Sequence, residues 1–131
     1  MRIQISFDPN ENLIYLRCKI YGPDGHRFAK LALDTGAMAT LISIEIIHAL
    51  GYETDFDKKA RIIMGGGEEY ASLVEINKIR VANQQIENLT VTCFNLPQET
   101  GLDGLLGLNF LRHFDTEINY SNSTLVLKPI G

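Results

Sequence analysis

The segment best suited to chemistry is Leu31-Ala32-Leu33-Asp34-Thr35-Gly36-Ala37, where an apolar strand delivers a carboxylate directly into a tight turn. Thr and Gly after the acid hold it rigidly and let backbone approach it closely, which suits Asp34 to proton transfer on a bound substrate. The same tripeptide also occurs where Asp merely opens a turn by bonding its own backbone, so these residues alone leave both readings open. Gly65-Gly66-Gly67-Glu68-Glu69 interrupts a β-favouring stretch and lacks the Lys, Ser or Thr of a phosphate-cradling loop. It reads as a mobile hairpin tip or as an exposed loop. Asp103, in Leu102-Asp103-Gly104, reads as a turn residue. Cys18 and Cys93 lie far apart in strand-like patterns, which predicts two buried free thiols. His26, His48 and His113 share no metal-ligand spacing, so neither a metal nor a cofactor is expected.

The elements around these residues are mostly short strands. Ile3 to Phe7, Leu13 to Ile20 and Phe28 to Leu33 are apolar or alternating runs, separated by Asp8-Pro9-Asn10-Glu11-Asn12 and by Gly22-Pro23-Asp24-Gly25. Both separators are turn chemistry and predict hairpin connections. Between Ser43 and Leu50 the apolar spacing becomes helical, with Ser43 as N-cap and Gly51 just past the end. Arg61 to Met64 and Tyr70 to Val81 form the two arms of a long hairpin, followed by a strand over Gln85 to Phe94. A second short helix is predicted over Leu108 to His113, then strands over Thr116 to Tyr120 and Thr124 to Lys128. Many short strands with one or two short helices predict an all-β domain of closed-barrel type spanning 1–131.

The bulk properties narrow the function. A 131-residue chain with 45% hydrophobic residues can bury one core. The net charge of -4, with basic residues spread along the sequence, argues against nucleic acid as a partner. No stretch approaches the roughly 20 apolar residues of a membrane span, and the first residues alternate rather than form a signal peptide. A soluble, cytoplasmic chain with no membrane partner is expected. The sequons at Asn88, Asn119 and Asn122 are accordingly read as turns or strand ends.

In order and over almost its whole length, the chain resembles the retropepsin-like aspartic peptidases. Asp34-Thr35-Gly36-Ala37 and the following Thr40-Leu41-Ile42-Ser43 match that family's active-site loop, and Met64 to Tyr70 matches its flap. Leu105-Leu106-Gly107 with Asn109-Phe110-Leu111 matches the apolar-apolar-Gly segment and the helix that packs beneath the loop. The resemblance implies a retropepsin-like fold with a flap hairpin. It also implies Asp34, Thr35 and Gly36 as catalytic residues, and contacts from Ala37, Met64, Gly65, Gly66, Gly67 and Leu106 to a polypeptide substrate. Apolar pockets are expected from Leu33, Ile63, Met64 and Leu106.

That family needs two facing aspartates, and this chain has one Asp-Thr-Gly. Asp115-Thr116-Glu117 carries Glu where the turn needs a residue without Cβ, so Asp115 reads as a turn or strand-edge residue. A homodimer supplies the second Asp34, because a two-fold axis between the loops brings identical carboxylates together. The expected activity is therefore homodimeric aspartic endopeptidase. The alternative is a retropepsin-fold module for peptide binding or dimerisation with little catalysis, and a small-ligand barrel is a third reading. Retroviral subunits end soon after their helix, whereas here eighteen residues follow His113 and predict an additional hairpin.

Overall fold

The computed structural model describes residues 2–54, 59–64 and 67–130. Among the described residues, ten strands and two short α-helices follow one another as β1 (Ile3–Ser6), β2 (Tyr15–Gly22), β3 (Gly25–Leu33), β4 (Thr40–Ile42), α1 (Ile44–Ala49), β5 (Lys59–Met64), β6 (Gly67–Val81), β7 (Gln84–Cys93), β8 (Gly104–Leu106), α2 (Leu108–Leu111), β9 (Phe114–Asn119) and β10 (Thr124–Pro129). The main sheet has the order β2-β3-β8-β4-β7-β6-β5, and β6 pairs back onto β2, so six strands close into a barrel from which β5 projects. The remaining strands form a separate three-stranded sheet, β1-β10-β9.

Side-chain alternation explains the barrel. In β2, Leu16, Cys18 and Ile20 point inward and are at most 2% exposed, while Arg17 between them faces solvent. Leu31, Ile42, Ile76, Val91 and Phe110 meet them in one continuous core. Both cysteines are free and buried within it. Burial in apolar surroundings pushes the Cys18 thiol up to about 12 and Cys93 to about 11, so neither is a nucleophile near neutral pH.

The helix at Ser43 forms as its sequence predicts: the Ser43 hydroxyl accepts the Ile46 N–H at 3.4 Å, and α1 ends at Ala49. Tyr52, just beyond it, donates its hydroxyl hydrogen to the Tyr21 carbonyl and accepts the Asn77 N–H, tying the exit from α1 to β2 and β6. The second helix is shorter than expected, covering Leu108–Leu111.

The β2–β3 hairpin and the terminal β9–β10 hairpin also form as expected. The first expected hairpin does not. β1 pairs with β10, Ile3 opposite Leu127, and the turn-rich residues after it lead over to the barrel instead. Turn chemistry marks where a strand stops but not where the chain goes next. No described helix is long and apolar enough to cross a membrane.

Candidate active site

Asp34 sits at the end of β3, where the parallel pairing of β3 with β8 places Leu33 beside Leu106. The ladder continues one residue further, since the Asp34 N–H donates to the Leu106 carbonyl at 3.1 Å. The chain then turns: the Ala37 N–H donates to the Asp34 carbonyl at 3.2 Å, and the Gly36 N–H donates to Asp34 Oδ1 at 2.9 Å. The second bond fixes the orientation of the carboxylate. A Cβ at residue 36 would stand 3.2 Å from that same oxygen, so glycine keeps the approach to the acid open. Asp34 is half-buried, while Thr35 and Gly36 are exposed.

The far side of the loop is clamped to the segment that follows β8. The Leu108 N–H donates to the Ala37 carbonyl at 2.8 Å, and the Asn109 N–H to the Met38 carbonyl at 3.2 Å. Thr40, fully buried, donates its hydroxyl to Asn109 Oδ1 at 2.8 Å and accepts the Gly107 N–H at 3.1 Å. Asn109 Oδ1 also accepts the Thr40 N–H at 2.9 Å, and its amide donates to the Thr90 carbonyl at 2.7 Å. One buried hydroxyl and one amide therefore lock two strands, β4 and β7, to the start of α2 beneath the loop. Such contact requires Gly107, where a Cβ would lie 2.5 Å from the Ala39 carbonyl oxygen. Thr40 and Asn109 lie in the two segments matched to the active-site loop and its supporting helix, but their side-chain clamp is a feature that the motifs alone do not specify. The available signals were a hydroxyl in the otherwise apolar Thr40-Leu41-Ile42 and an Asn inside a four-residue helix.

One expectation needs adjustment. Leu106, expected to contact substrate, is completely buried. Its side chain belongs to the core because β8 lies between β3 and β4, and its contribution to the site is the carbonyl that receives the Asp34 N–H. Gly65 and Gly66, expected at the flap tip, lie outside the described residues, as do the side chains of Ile63 and Met64. What is described is the hairpin that carries them: β5 and β6 pair up to Met64 opposite Gly67, and Gly67 has φ +136°. Tyr70, in the same hairpin, is 68% exposed and lines a cavity of ≈ 560 Å³ with Ile44, Ala71, Phe94 and Asn95.

The other acids have structural work. The Asp103 carboxylate accepts the Lys30 N–H at 2.8 Å and its carbonyl accepts the Ser43 N–H at 2.9 Å, joining β3 to the start of α1. Asp115 is a strand residue opposite Lys128. Among the described residues no His, Cys, Asp or Glu cluster could hold a metal ion.

A closed barrel that presents an Asp-Thr-Gly turn above an interlocked apolar-Gly-helix segment is the architecture of a retropepsin-like aspartic protease domain. The structure superposes with a TM-score of 0.71 on a retropepsin-like aspartic protease from Rickettsia conorii, at 18% identity, covering 97% of this chain and 89% of that one. The chain belongs to the gag-polyprotein putative aspartyl protease family, whose model matches residues 23–113. It is also 28% identical over 122 residues to DNA damage-inducible protein 1 of Eremothecium gossypii and 28% identical over 121 residues to human protein DDI1 homolog 2. Each alignment takes in 91% of this chain, but the chain spans only 24% and 28% of those two relatives.

Proposed function

We propose that two copies of this chain form a homodimeric aspartic endopeptidase, with water activated between the two Asp34 carboxylates. The observation that carries the reading is the Asp34 loop itself. Its acid is oriented by the Gly36 N–H, its backbone is clamped from below through Thr40 and Asn109, and Thr35 and Gly36 remain exposed at its tip. Met38, an apolar side chain 85% exposed beside that tip, adds surface that a second copy would cover.

With the loops facing across a two-fold axis, two carboxylates about 3 Å apart share one proton. The ionised Asp34 takes a proton from water as the oxygen adds to the peptide carbonyl carbon. The protonated Asp34 of the other copy hydrogen-bonds the carbonyl oxygen and stabilises the tetrahedral intermediate. Collapse breaks the C–N bond, with the departing amine taking a proton from the dyad. Apparent pKa values would belong to the pair. The β5–β6 hairpin would act as the flap over a bound polypeptide. Two unpaired, buried thiols fit a reducing compartment, consistent with a cytoplasmic site of action.

The test pairs Asp34→Asn with dilution of the parent protein in a peptide-library cleavage assay. The substituted protein should keep its circular dichroism spectrum and lose hydrolysis and binding of statine inhibitors. Specific activity of the parent should fall as sedimentation shows the dimer dissociating. Wild-type cleavage by Asp34→Asn, or constant activity per chain in the monomeric range, would sink the proposal.

A further inference from the structure

Five basic residues, Arg17, Lys19, Lys30, Lys78 and Arg80, converge on the outward face formed by β2, β3 and the end of β6. The register makes them a compact block. Arg17 lies opposite Lys30, Lys19 stands between Phe28 and Arg80, and Tyr21 stands between His26 and Lys78. Five of the chain's twelve Lys and Arg residues thus share one face of a molecule whose net charge is -4. Basic residues that are spread along the sequence are gathered on this face by strand pairing.

The cations are interleaved with aromatic rings. The Arg17 guanidinium lies 3.9 Å from the centre of the Phe28 ring, Lys30 Nζ 4.0 Å from that of Tyr15, and Lys78 Nζ 4.2 Å from that of Tyr21. A hydrogen bond from Lys19, with Arg80 and Lys78 nearby, holds the Tyr21 hydroxyl below its usual pKa, a sign of the local positive field. Phe28 is 47% exposed, and between it and Tyr15 opens a recess of ≈ 280 Å³ whose other walls include Arg17, Ala29 and Lys30. The bordering acids are Glu87, opposite Lys78 on β7, and Asp103, whose carboxylate already accepts the Lys30 N–H.

We propose that this face binds an acidic polypeptide segment, with its carboxylates on the basic block and one apolar side chain seated between Tyr15 and Phe28. Charge complementarity requires a polyanion. Two observations favour polypeptide over single-stranded nucleic acid. Each of the three rings already has a cation over one face, which competes with stacked bases, and the recess between Tyr15 and Phe28 admits an apolar side chain. The face runs along β3, which ends at Leu33 immediately before Asp34. A polypeptide held there continues toward the catalytic loop, yet binding does not depend on hydrolysis.

The test is fluorescence anisotropy on the Asp34→Asn protein, so that no cleavage complicates the titration. The probes are a labelled peptide of glutamates around a central leucine, its glutamine counterpart, the same glutamate peptide with serine for leucine, and oligothymidylate. The glutamate–leucine peptide should bind about tenfold or more tightly than the other two peptides at low salt. Binding should fade as the screening length drops from about 10 Å at 0.1 M to about 3 Å at 1 M salt. Lys19→Glu with Lys78→Glu should weaken it by about tenfold or more. If that reversal disturbs the circular dichroism spectrum, Lys19→Gln with Lys78→Gln is read by the same criterion. Equal binding of the glutamine peptide, indifference to the charge substitutions, or tighter binding of oligothymidylate would overturn the assignment.

Discussion

Replacing Thr40 by Val isolates the contribution of one buried hydroxyl to the Asp34 loop. The side chains are nearly the same size, so packing is preserved while two hydrogen bonds disappear: the one to Asn109 Oδ1 at 2.8 Å and the one from the Gly107 N–H at 3.1 Å. Asn109 Oδ1 keeps the Thr40 N–H, but the buried Gly107 N–H loses its acceptor. An unsatisfied buried donor costs about 1–3 kcal/mol and each net hydrogen bond about 1 kcal/mol, giving a loss of about 3 kcal/mol. For a domain of this size that corresponds to a fall of about 10 °C in Tm. Since folded domains hold about 5–15 kcal/mol in reserve, the variant should still fold at 25 °C. Calorimetry at fixed protein concentration measures the loss, and cleavage kinetics well below the transition show whether the loop has also lost its geometry. We expect kcat to fall with little change in KM, because the carbonyls of Ala37 and Met38 rest on the same clamp. Thr40→Ser, which keeps the hydroxyl, should recover most of the loss. A Thr40→Val protein with parental Tm and parental kcat would refute the clamp.

Gly107→Ala should destabilise by about 1–3 kcal/mol, seen as a lower Tm, because its Cβ would meet the Ala39 carbonyl at 2.5 Å and backbone must shift. Gly67→Ala, at φ +136°, should cost about 1–2 kcal/mol through backbone strain and lower kcat/KM if the hairpin is the flap. Cys18, raised from 9.0 to about 12, contributes stability that is complete below pH 9 and is lost as pH rises toward 12. Denaturant titrations over that window should show a steeper alkaline decline for the parent than for Cys18→Ala. Neither cysteine should alkylate at pH 8 until the protein unfolds, as mass spectrometry after iodoacetamide would report.

Local pattern exposed those parts of the fold whose cause is local. β2 is legible because Leu16, Cys18 and Ile20 alternate with polar neighbours, and α1 because Ser43 and Gly51 bracket it. Neither three-residue strand, β4 or β8, carries a period of its own, and both exist only through partners far away, Leu31 with Gly104 and Thr40 with Val91. The site divides similarly. Asp34, Thr35 and Gly36 announce themselves as a contiguous motif, whereas Thr40 and Asn109 acquire their role by meeting across 69 residues. The motif ties the Leu106 segment to the loop, but the inward direction of its side chain depends on which strands flank β8. The basic face was invisible for the same reason, since its charges come from three strands.

The pairing of β1 with β10 also sets an order of events during synthesis. Ile3 must meet Leu127, and Ile5 must meet Leu125, so β1 receives its partner only when every element between the two strands has been synthesised. Until then the barrel strands β2 to β8 can close among themselves, but Ile3 and Ile5 have nothing to pair with. Contacts of such sequence separation form late, after loop-closure entropy has been met by more local structure. β1 therefore stays unpaired while the intervening elements are made and remains an edge strand in the finished sheet, where the exposed polar Arg2, Gln4 and Ser6 make that edge a poor template for a neighbouring chain.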